Sequence, residues 1–60
     1  MSTYTVTARR WRNLWELAIE GVGVTQARTL GKAEAMVRDY LELDGHEDAQ
    51  TATIDIRPVP

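Results

Sequence analysis

One short run carries the most unusual chemistry in this chain: Arg9, Arg10, Trp11 and Arg12, with Trp15 close behind. Arginine beside an aromatic ring can hold phosphates while the ring stacks on bases. The same two residue types are enriched at the centres of protein–protein interfaces. The plainer reading is a charged sheet edge, with Trp15 in the core and Trp11 covering the sheet end. Core or edge ranks ahead of a partner surface built on Arg9, Arg10, Trp11 and Arg12. Nucleic acid ranks behind a protein partner, because the net charge of −2 opposes bulk attraction to phosphates.

His46 is the only histidine and sits in the acidic stretch DGHEDAQ. To act as a metal ligand or general base it needs a second ligand or an orienting group within reach. Glu47 and Asp48 are adjacent, but the chain holds no cysteine and no other histidine. A solvated loop histidine is the expectation. Asp44, Glu47 and Asp48 lack the spacing and distal Glu of a calcium loop. Ser2 and the threonines have no histidine placed to activate them. Gly21-Val22-Gly23 lacks the further glycine and helix start of a phosphate-binding loop and reads as a hairpin turn. No catalytic residue, metal or cofactor is expected, so the chain reads as a non-enzyme.

Sixty residues allow one domain, 1–60. A chain this short buries only about 60% of its unfolded surface and is marginal alone. Without disulfides or a structural metal, association is the remaining way to enlarge the core. A homodimer is therefore expected. No apolar run approaches a membrane span, and MSTYTVTARR lacks the apolar centre of a signal peptide. The expected location is the cytoplasm, with no membrane partner.

The elements that must position these residues follow from hydrophobic period. Met1 to Trp11 reads as a strand, with Tyr4, Val6 and Ala8 on one face and Thr5, Thr7 and Arg9 on the other. Arg12-Asn13 is a two-residue turn, with Asn13 suited to positive φ. Leu14 to Glu20 alternates again, with Trp15, Leu17 and Ile19 together. That turn fixes a register placing Val6 opposite Ile19, Ala8 opposite Leu17, and Arg9 opposite Glu16. Val24 to Arg28 is a third strand. Thr29 is the predicted N-cap of a helix whose stripe is Leu30, Ala33, Met36, Val37, Tyr40, Leu41 and Leu43. Gly31 and Lys32 weaken its start, and Gly45 ends it. Asp44 to Gln50 is an exposed loop. Thr51 to Val59 is a last strand, with Ile54 and Ile56 inward and Pro58 at an edge. The fold class is α+β, in the order β-β-β-α-β. A crossover lays the last strand parallel to the first, and the helix covers one face of a four-stranded sheet.

The run GVGVTQARTLGKAEAMVRDYLEL resembles the HicB-like antitoxin domain. Gly23, Val24, Thr25, Gln26, Thr29, Leu30, Ala33, Val37 and Leu41 match its turn, Thr-Gln segment and helix start, and YTVTARRWRNLWELAIE matches its first hairpin. The resemblance covers about residues 3–43, with the last strand also in place, and the chain looks especially like short single-domain members found in actinobacteria. It implies a truncated RNase H-like arrangement without active-site carboxylates. It also implies a non-enzymatic antitoxin that binds and blocks a small basic RNA-cleaving toxin of the HicA kind. Full antitoxins usually carry a C-terminal DNA-binding segment, and the matched residues include none, so operator binding is not among the expectations carried over. The alternative from the residues alone is an RNA- or DNA-binding β-module using the Arg/Trp cluster.

Overall fold

Residues 2–60 are described by a computed structural model, and the predicted strand residue Met1 lies outside them. The first strand, β1, spans Thr3–Trp11. Its alternation puts Val6 and Ala8 wholly out of water, while Thr5 and Thr7 face the other way. A tight turn leads into β2, Leu14–Ile19. The predicted register holds throughout: Val6 pairs with Ile19, Ala8 with Leu17 and Arg9 with Glu16. The turn differs in one respect. Arg12, not Asn13, takes the positive φ, at 57°.

The second turn runs through Gly21, which has φ +77°. Gly23 does not use left-handed backbone. It opens β3, Gly23–Ala27, and its missing side chain matters for space. A Cβ there would lie 3.0 Å from Cζ of Tyr40, so the tyrosine ring is seated on bare backbone. Within β3 the residue turned into the core is Ala27, and Val24 is 56% exposed on the opposite face.

The helix starts later than predicted. Thr29 is extended (φ −137°, ψ 157°) and its side chain makes no capping bond. A 3₁₀ turn, Leu30–Lys32, intervenes, and α1 spans Ala33–Leu43 with Lys32 at its N-cap. Gly31 and the absent capping box explain the delay: nothing local stabilises an α-turn until Ala33 begins to bury. Ala33, Val37 and Leu41 are fully buried, one per turn on a single line. Burial of a Val or Leu side chain contributes about 1.5–3 kcal/mol. Leu43 is not part of the stripe: it is 84% exposed, because it lies a half-turn away from Leu41 and beyond the sheet. Met36, at 37% exposed, borders the core without entering it.

The helix ends in two reciprocal bonds, His46 N–H to Leu41 C=O at 2.9 Å and Gly45 N–H to Glu42 C=O at 3.1 Å. Gly45 has φ +84°, the left-handed residue this motif requires. The segment that follows is not the exposed loop predicted. It folds into consecutive turns that bury Ala49 and Ala52. The last strand, β4, spans Thr53–Val59 and runs parallel to β1, with Tyr4 beside Ile54 and Val6 beside Ile56. The sheet order is β3-β2-β1-β4. This is the predicted α+β fold of order β-β-β-α-β, with α1 on one face and the other face bare. Among the described residues no helix is long and apolar enough to cross a membrane.

Candidate functional site

The β1–β2 turn projects the Arg/Trp cluster, but not onto one face. Strand alternation sends Arg9 and Trp11 to the bare face. Arg10 goes to the helix face, where it pairs with Trp15 in register. Two cation–π contacts organise the tip. The Arg10 guanidinium carbon lies 5.5 Å from the Trp15 ring centre, and that of Arg12 lies 4.8 Å from the Trp11 ring centre. Trp15 packs half-buried against the core. Trp11 does not cover the sheet end; it is 58% exposed.

The tip gathers more cations than its own run contains. β2 pairs with β3 so that Trp15 lies opposite Ala27, which carries Arg28 back to the level of Leu14. Arg12, Arg28 and Trp11 line one shallow depression with Asn13 and Leu14. Arg28 and Lys32 line the next, with Met36 and Gln26. Arg28 and Lys32 were not legible as site residues in the sequence. The β2–β3 register brings Arg28 there, and the 3₁₀ turn after β3 brings Lys32.

The result is a segregated charge. Seven residues are Lys or Arg, and two of them are ion-paired: Arg38 with Glu34 at 3.0 Å, and Arg57 with Asp55 at 2.9 Å. The other five, Arg9, Arg10, Arg12, Arg28 and Lys32, surround the tip and have no ion-pair partner among the described residues. Glu16 is the one carboxylate in their midst. The remaining eight acidic residues sit elsewhere, against two guanidiniums. A net charge of −2 thus conceals a cationic pole on an anionic body, and fields act locally over about 8–10 Å at ordinary salt.

His46 is not solvated freely. Its ring meets Tyr4 edge-on, with centroids 5.8 Å apart and planes at 86°. Its Nδ1 lies 3.2 Å from the Tyr4 hydroxyl and its Nε2 lies 3.0 Å from Asp44. The Tyr4 hydroxyl donates to Asp48 at 2.8 Å, and the Ser2 hydroxyl also donates to Asp48. Donation from Ser2, then from Tyr4, holds the Asp48 carboxyl below the ordinary carboxylate range. The bond to Asp48, then burial and the charge of Asp48, raise the Tyr4 phenol. This chain of contacts is wrong for nucleophilic catalysis. Ser2 faces a carboxylate made less basic, and the imidazole faces a phenol. The relay ties the start of β1 to the segment after α1. Among the described residues no three His, Cys, Asp or Glu side chains converge as metal ligands.

No protein-family model, curated protein or solved structure matches this chain.

Proposed function

We propose that this chain is a non-enzymatic, antitoxin-like binding module that captures a small basic RNA-cleaving protein in the cytoplasm. The observation behind it is the hairpin tip, where an exposed Trp11 under the Arg12 guanidinium has the composition and exposure of an interface anchor. The anionic body would attract a basic partner, and the tip's cations would meet that partner's acidic or carbonyl groups. The bare sheet face beside Trp11 offers contact area that the helix leaves uncovered. The resemblance noted in the sequence supplies the partner's identity, and the β-β-β-α-β order is the arrangement that resemblance implies.

The test is a search beside this gene for a reading frame encoding a small basic protein and co-expression with its product, scored by growth rescue and by inhibition of RNA cleavage with purified components. Trp11→Ala should lose both. Absence of any inhibition by the native chain would end the reading. A second reading, binding of single-stranded nucleic acid, is favoured by five unpaired cations around one exposed indole. It predicts retardation of single-stranded RNA that fades as salt rises. Reversal of Glu34, Asp39 and Glu42 to Lys separates the two, since it would weaken capture of a basic protein and strengthen binding of RNA.

A further inference from the structure

The two edges of the sheet are treated differently by the sequence. On β4, Pro58 has no N–H to offer, and the Arg57–Asp55 ion pair at 2.9 Å lies along the strand. Proline and charge are the usual guards against edge pairing. On the other edge, β3 reads GVTQA, with neither. Its outward hydrogen-bonding groups can be identified. Glu20 N–H donates to Thr5 C=O at 2.9 Å, which sends the even residues of β2 toward β1 and its odd residues toward β3. Their partners in register, Gly23, Thr25 and Ala27, point inward. Val24 and Gln26 therefore turn their N–H and C=O outward. Both are exposed.

We propose that two copies of this chain pair antiparallel through β3, with Val24 opposite Gln26 of the second copy and the two-fold axis at Thr25. This register uses all five residues of the strand and is self-complementary, as an isologous interface must be. It makes a continuous eight-stranded sheet with both helices on one side. Apolar surface borders the join above and below: Val24 and Trp11 on the bare face, 56% and 58% exposed, and Met36 on the helix face, 37% exposed. Charge agrees as well. Glu20 stands in the turn that precedes β3, where the Val22 N–H donates to Ile19 C=O at 3.0 Å, and Arg28 follows the other end of the strand. Neither has an ion-pair partner among the described residues. The two-fold brings each Arg28 toward the turn that carries Glu20 of the other copy.

Sedimentation velocity over a micromolar concentration series tests this. The native chain should show a monomer–dimer equilibrium, and Val24→Pro should be monomeric with an unchanged circular dichroism spectrum. The Val24 N–H serves no bond within the chain, so the proline removes only the outward donor. A native chain that stays monomeric throughout, or a Val24→Pro dimer, overturns the proposal. Should Val24→Pro unfold, charge exchange decides. Arg28→Glu and Glu20→Arg should each weaken self-association about tenfold, and an equal mixture of the two should restore it by rebuilding both pairs. A mixture that associates no better than either variant alone overturns the proposal.

Discussion

The two ends of this sheet use polar groups in opposite ways. At the far end, Ser2, Tyr4, His46, Asp44 and Asp48 satisfy one another in a single chain of contacts. At the hairpin tip, five cations face solvent with no carboxylate bonded to them, and an indole stands 58% exposed. Polar groups that are mutually bonded contribute to holding the fold. Those left unbonded keep their full capacity for a partner. A mutational survey should therefore separate cleanly into changes that affect stability and changes that affect binding.

The largest expected effect is at the tip. Trp11→Ala should cost about 2 kcal/mol or more in partner affinity by calorimetry, while shifting unfolding free energy within about 0.5 kcal/mol. A large loss of stability would show that Trp11 belongs to the fold and break the division. Gly23→Ala should act the other way, costing about 1–3 kcal/mol in chemical denaturation because its Cβ displaces the Tyr40 ring. Binding at the tip should survive it. Tyr4→Phe removes the donor to Asp48 and should lower the melting temperature with partner affinity unchanged.

A pH series sharpens the same division. Asp48 titrates below its ordinary value in the folded chain. Its stabilisation is complete above the unfolded value of about 4 and is lost as pH falls through the lower folded value. Tyr4 titrates above its ordinary value, so its stabilisation is complete below about pH 10 and is lost as pH rises through the higher folded value. Thermal melts should show both limbs, with Asp48→Asn abolishing the acid one and Tyr4→Phe the alkaline one. Persistence of either limb in its variant would assign it to other groups. The smallest effect is expected from Arg57→Ala, whose exposed pair with Asp55 should be worth less than about 1 kcal/mol.

Where the sequence was legible, two signals agreed. A two-residue turn and matched apolar alternation set the β1–β2 register, because a one-residue slip would expose Leu17 and Ile19. The parallel β4 followed from a strand–helix–strand connection. The helix start was misplaced because Thr29 looks like a cap by type, whereas Gly31 and Lys32 deny it the first turn. The turns after α1 looked polar since their buried residues, Ala49 and Ala52, are small and have no period. The Tyr4–His46 contact joins residues 42 apart, a separation at which no local pattern reports. The tip itself was visible in Arg9 to Arg12, but its full charge waited on the register that returns Arg28 beside Leu14.

The pairing of Thr3 with Thr53 through Arg9 with Val59 closes a span of nearly the whole chain. Such a closure carries the greatest loop entropy in the molecule and comes late in folding. The two hairpins close over short loops, whereas β4 must return across the helix to flank β1. Until it does, the long strand at the centre of the finished sheet is itself an open border. The species most exposed to mispairing is therefore the chain whose β4 has not yet docked, with β1 as the border at risk.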